Sequence, residues 1–178
     1  MRRGNALLRP DGERTGRRAA WLLLLLLTVA PAGASHSDQR FFEAFIEDGI
    51  AEVDAANLAL QKSSNVMVKE FAAMMIKDHT SANDRLKVLA ASKRTRSPST
   101  AGADERAVQA KLALLSGRIF DRFYIRAQIY AHEQMLDRVN EEATSGKEAK
   151  AKAFAQEILP MIQAHLKMIR VLAASEGV

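Results

Sequence analysis

The sequence predicts an all-helical protein, and three observations carry that prediction. From Asp38 onward apolar residues recur at helical spacing, with no alternating, strand-like run. Turn-forming residues gather in only a few places, at 63–65, 94–103, 116–117 and 145–146. Each long stretch between those breaks carries one apolar stripe, and four amphipathic stripes in succession bury one another as a four-helix bundle.

Ahead of the helices lies a leader. Arg17 and Arg18 precede the apolar run Ala19–Ala30, and Ala32-Gly33-Ala34 then supplies the small-x-small pattern that signal peptidase accepts. This predicts a signal peptide over 1–34, cleavage near Ala34/Ser35, and a periplasmic or extracellular mature domain over 35–178. The apolar run is shorter than the roughly 20 residues that span a bilayer, and a charged segment follows, so no stable transmembrane anchor is expected. Arg17-Arg18 lacks the surroundings of a twin-arginine signal, which points to the ordinary secretory route. The formal net charge of +5 also belongs to the leader. Residues 1–34 hold six Lys/Arg and two Asp/Glu of the 26 and 21 in the chain, leaving 20 against 19, or +1. Interspersed charges of that balance read as a solvated surface and argue against nucleic acid as a partner. The chain has no cysteine, which excludes disulfides, thiolate chemistry and lipid attachment at cysteine.

The first helix is expected over 38–62, capped by Ser37, and Ser63-Ser64-Asn65 turns the chain into a second over 65–93. So short a turn makes the pair antiparallel. Ser97-Pro98-Ser99 and Gly102 mark the one long loop, after which Asp104 opens a third helix to about 143, with Ser116-Gly117 as a break or kink. Ser145-Gly146 leads into the fourth helix, 147–175, with Pro160 as an expected kink. The stripe of the second helix runs Val68, Phe71, Met75, Ala82, Leu86, Leu89; that of the fourth runs Phe154, Ile158, Ile162, Ile169, Leu172. Residues 69–92 and 152–175 share eight of 24 positions without a gap, which suggests two related hairpins. Two hairpins joined by a longer middle connection is the ferritin-like plan.

Polar side chains interrupt these inner faces. His79 shares the stripe of Met75, Ala82 and Leu86; His132 and Asp121 sit on the seam Asp121, Ile125, Gln128, His132, Met135, Val139; His165 lies between Ile158 and Leu172. Glu52 faces inward from the first helix, and Asp78 flanks His79. Buried without partners, such groups cost roughly 1–3 kcal/mol each, so they need mutual hydrogen bonds, water or a metal. Counted along the helices from their turns, these residues lie at depths of roughly 17–28 Å, which fits an elongated polar network better than one compact site. The first reading is structural: satisfied core histidines with carboxylates and Gln128 as partners, fixing helix register. The second is a metal site of His79, His132 and His165 with Glu52, Asp78 or Asp121, for zinc, copper or iron. Met75, Met135, Met161 and Met168, each one turn from a histidine, would turn such a site toward copper, although methionine is also a common filler of helical cores. His36 reads as a tail residue that could chelate a stray ion with a freed amine.

From Ser37 to Ser175 the chain resembles the exported bacterial family called domain of unknown function 4142. The resemblance rests on Lys69-Glu70-Phe71-Ala72, Asp78-His79-Thr80, Ser116-Gly117 with Phe120-Asp121, His132, Leu159-Pro160 and His165-Leu166, in that order. It implies a ferritin-like antiparallel four-helix bundle, export, sometimes a membrane or outer-membrane label, and a shared set of inner polar residues, with no settled activity. Di-iron chemistry is not implied, because Ile76, Ile129 and Ile162 stand where Glu-x-x-His motifs need glutamate. No nucleophile elbow, His-Glu-x-x-His motif or phosphate loop supports an enzyme. On the bare sequence the structural reading stands slightly ahead. The resemblance nevertheless gathers the inner histidines, so the function is framed around a ligand site, with a non-metal structural or protein-interaction bundle of the cell envelope as the alternative.

Overall fold

The computed structural model describes residues 35–178, so the leader and its cleavage point lie outside the described residues. Five helices follow in order: α1 (His36–Lys62), α2 (Val66–Ser92), α3 (Ala103–Leu114), α4 (Gly117–Ser145) and α5 (Ala149–Glu176). Among the described residues there is no strand, and no helix is long and apolar enough to cross a membrane.

The boundaries have local chemical causes. Ser35, rather than the expected Ser37, caps α1: its hydroxyl accepts the Asp38 N–H at 3.3 Å and its own N–H donates to the Asp38 carboxylate at 3.0 Å. The other Asp38 oxygen accepts the Lys147 N–H at 3.0 Å, tying the start of α1 to the turn between α4 and α5. His36 is therefore an exposed residue in the first turn of α1 and not a loose tail. The Asn65 side chain caps α2 by accepting from the N–H groups of Met67 and Val68 at 2.9 and 3.3 Å.

Where the sequence predicted one helix over 104–143, two occur. Gly117 takes φ +55°, a left-handed conformation that suits glycine and interrupts right-handed helix. The carbonyls left free at the end of α3 are met from outside: Lys62 Nζ donates to Ala113 and Leu115 at 2.7 and 3.2 Å. α5 runs through Pro160 without ending.

α1 packs along α2 and α4 along α5, while smaller α1–α4 and α2–α5 contacts join the two hairpins and α3 lies across α1 and α4. Two apolar clusters fill the space between. The first gathers Phe42, Phe45 and Ile46 of α1 with Leu86, Met135, Val139, Phe154 and Ile158. The second gathers Ala56 and Ala59 with Val68, Phe71, Met75, Phe120, Ile125 and Ile169. The start of α1 thus shares a cluster with the ends of α2 and α4 and the start of α5, so each long helix runs antiparallel to both neighbours. The segment 93–116 returns the chain along the outside, and α3, anchored by the fully buried Leu112, belongs to that return.

Candidate metal centre

On every long helix the two apolar clusters leave a gap, and a polar residue occupies it. Glu52 falls between Ile46 and Ala55, His79 between Met75 and Ala82, Gln128 and His132 between Ile125 and Met135, and His165 between Ile162 and Leu166. All of them are buried, with His79 and His132 at 0% exposure and His165 at 1%.

The three histidines converge. Their ring centroids are 5.5–5.6 Å apart, and one nitrogen from each lies within 4.8 Å of the other two. The depth count along the helices pointed to an elongated network, and the structure corrects it. That count compared backbone levels, whereas side chains lean toward the N-terminus of their own helix. His132 and His165 stand on antiparallel helices and so lean toward each other.

Hydrogen bonds set which nitrogens keep a free lone pair. His132 Nδ1 lies 2.9 Å from the Gln128 carbonyl, so it carries the proton and donates, which leaves the Nε2 lone pair free. His165 Nε2 lies 3.0 Å from the Asp78 carboxylate and donates there, leaving the Nδ1 lone pair. Neither His132 Nε2, His165 Nδ1 nor either nitrogen of His79 has a protein partner. An oxygen partner on one N–H of each of two rings, with the second nitrogen buried and unpartnered, is the arrangement that orients metal-binding histidines. Glu52 Oε1 stands 3.9 Å from His132 Nδ1, and its Oε2 has no partner.

Burial dominates the electrostatics. It pushes His132 down to about 4, against the Gln128 carbonyl, which favours the protonated ring. It pushes His79 well below the usual histidine range, helped by His132 and His165. His165 is lowered by burial too, although its bond to Asp78 opposes the shift. At neutral pH all three rings are uncharged and can donate lone pairs. Burial raises Glu52 to about 7, with the Gln128 side chain pulling the other way.

Of the other expected residues, Asp78 is half-buried and holds His165 from the side, and Glu52 approaches His132 from α1. Asp121 does not join them. It is buried on the seam of α4 but lies about 16 Å of helix rise from His132, beside Phe120 and Tyr124 of the second cluster. Sequence reasoning missed Asn83 and Tyr124. Asn83 lies one turn beyond His79 on the same stripe and donates to the Ile46 carbonyl at 3.2 Å, an approach that Gly49 permits because any Cβ there would strike the Asn83 carboxamide. The buried Tyr124 hydroxyl has no partner, and burial together with Glu52 pushes its pKa well above the usual tyrosine range.

Solved structures share this fold. A DUF305 fragment from Deinococcus radiodurans superposes with TM-score 0.72 at 12% identity, over 81% of this chain and 99% of that one. A DUF305 protein of Streptomyces coelicolor, described as secreted, superposes with TM-score 0.69 at 12% identity, over 80% and 94%. CopM in its Cu(I)-bound form superposes with TM-score 0.66 at 22% identity, over 78% and 96%, and CopM has also been solved with Ag and with Cu(II). No curated protein matches the sequence. The profile of one family spans residues 26–172, and by that match the chain belongs to the family described as domain of unknown function DUF4142.

Proposed function

We propose that this protein is an exported, ferritin-like four-helix bundle that binds a copper-class ion through His79, His132 and His165, for buffering, delivery or sensing and not for catalysis. One observation carries the reading: three buried, neutral imidazoles each bring a nitrogen within 4.8 Å of the other two and each keep an unpartnered nitrogen, two of the rings being fixed by oxygen acceptors. Left bare, those nitrogens are a standing cost of roughly 1–3 kcal/mol each. A metal coordinated at about 2.0 Å draws three nitrogens to about 3.5 Å apart, so the present spacing closes by small side-chain turns.

Charge favours a monovalent ion. The Born cost of burial rises with the square of the charge, about fourfold from Cu(I) to a divalent ion, and all three ligands are neutral. Imidazole is a ligand copper accepts readily. The likeness to CopM, solved with Cu(I), Ag and Cu(II), supports the same choice. Asp78 and Glu52 then serve as partners of the ligating rings. The leader anatomy and the likeness to a DUF305 protein described as secreted support export. N-terminal mass spectrometry of native material should find the chain starting at or near Ser35; retention of Trp21–Ala30 would mean a tethered form.

The metal reading is tested by titrating chelator-stripped protein, purified without an affinity tag, with Cu(I), Ag(I), Zn(II) and Fe(II) while following the melting temperature. Cu(I) and Ag(I) should raise it, a binder at 100 times its Kd adding about 2.7 kcal/mol. The shift should vanish in His79→Gln, His132→Gln and His165→Gln. Indifference to every ion would defeat the reading and leave the histidines as register-setting core residues. A shift that survives all three substitutions would place the ion elsewhere, with His36 and the freed amine the first suspects.

A further inference from the structure

A cleft of about 290 Å³ opens between α1, α3 and α4, and its wall includes Asp48, Glu52, Asp104, Glu105, Gln128 and Arg138. Four carboxylates thus face one guanidinium, and that guanidinium is already paired with Asp48. Asp104 is exposed and Glu105 half-buried, whereas Glu52 is 3% exposed and leaves Oε2 without a partner. Glu52 also stands 3.9 Å from His132 Nδ1, and Gln128 supplies the carbonyl that the same nitrogen contacts. Two residues of the cleft wall, Glu52 and Gln128, therefore also stand behind His132 of the histidine cluster.

We propose that cations reach the histidine cluster through this cleft, drawn to its mouth by Asp104 and Glu105, received at its floor by Glu52, and moving from there around the His132 ring to the lone pair on its Nε2. The inference rests on the metal reading above and adds the route. Apolar clusters close the core on both sides of the histidine layer, so a path through either would strip a cation of water with nothing to replace it. The cleft instead offers carboxylate oxygen from solvent as far as Glu52, leaving the His132 ring between it and the cluster. An acidic mouth raises the local cation concentration and the association rate, and low-dielectric walls strengthen the effect. At the floor, a carboxylate oxygen without a partner and out of water gains more from a cation than an exposed one would. α3 covers the passage, its Gln109 side chain donating to the Ala51 carbonyl at 3.4 Å, next to Glu52.

The route is tested by stopped-flow mixing of the metal-free full chain with silver nitrate, following tyrosine fluorescence and varying ionic strength with sodium nitrate. In Asp104→Asn/Glu105→Gln the association rate at low salt should fall by about tenfold, and further in Asp104→Lys/Glu105→Lys. The gap should close near 1 M salt, where the Debye length is about 3 Å. Equilibrium affinity and stoichiometry should stay at wild-type values, since the mouth does not touch the bound ion. Glu52→Gln should slow uptake at every salt concentration, and Glu70→Gln, an exposed change on α2, should not slow it at all. Equal low-salt rates in wild type and both mouth variants would overturn the route while leaving the site standing. Failure of the wild type to take up Ag(I) would overturn the metal reading itself.

Discussion

Phe45 and Leu86 lie two turns from Glu52 and His79 on the same two helices, yet the layers they form obey opposite rules. Around Phe45 the core is apolar: its ring meets Phe154 edge-on at 5.7 Å, and the side chains of Phe42, Ile46 and Leu86 are fully buried and carry no polar atom. Around His79 burial is just as complete, but the atoms brought inward are lone pairs and a carboxylate, several without partners. The first layer contributes stability through removed apolar area and close packing. The second gives some of it up. A fold that tolerates four unpartnered ring nitrogens at its centre does so because two well-packed clusters, one on either side, outweigh them.

The largest losses are expected in the apolar layer. Leu86→Ala and Ile158→Ala should each cost about 2–5 kcal/mol of unfolding free energy, read from denaturant midpoints, because each opens a cavity in the first cluster. Wild-type midpoints for both would mean that the cluster does not carry the fold.

An acid titration probes the histidine layer next. His132 sits at about 4 against 6.5 for an ordinary histidine. The unfolded chain therefore binds protons that the folded chain refuses, so the contribution is whole above pH 6.5 and lost as pH falls toward 4, about 3 kcal/mol at 1.36 kcal/mol per unit. His132→Gln should flatten that limb. Glu52 has the opposite sign: raised from 4.5 to about 7, it contributes most below pH 4.5, and that contribution fades as pH rises through 7. Glu52→Gln should remove the neutral-side decline, and an unchanged pH profile in both variants would show that the layer is not buried in solution.

His79→Leu sharpens the contrast through its sign. With both ring nitrogens unpartnered, an apolar replacement of similar size should raise metal-free stability by about 1–3 kcal/mol while abolishing any metal-induced shift. A loss comparable to that of Leu86→Ala would show instead that the ring is held by bonds like any core residue. Lys87→Ala, next to Leu86 but off the stripe, should move the unfolding midpoint by less than about 0.5 kcal/mol.

Much of this architecture was legible because helical periodicity is a local signal. The stripes on α2, α4 and α5 turn inward as projected, and the turn at Asn65 and the break at Ser116-Gly117 stand where short polar and glycine residues put them. Local chemistry misled in two places. Ser37 and Ser35 are both acceptable caps, and only the carboxylate of Asp38, three residues after Ser35, decides between them. The break at Gly117 could be read as a kink or as an end, and the Lys62 ammonium on the exposed carbonyls of α3 makes an end stable.

The sequence by itself determined that the described chain is helical, that its inner faces carry His79, His132, His165 and Glu52, and that no thiol chemistry is available. Periodicity determines these things because a side chain's direction around its own helix depends only on its position along it. Tertiary structure alone decided that the three rings meet within one small volume at the level of His132, and not at the level of Asp121 three turns away on the same helix. It also decided that the return segment lays α3 beside Glu52 and leaves an acidic cleft there. Those outcomes depend on how one hairpin registers against another, and that register is set by the joint packing of two apolar clusters, with no counterpart in any single helix.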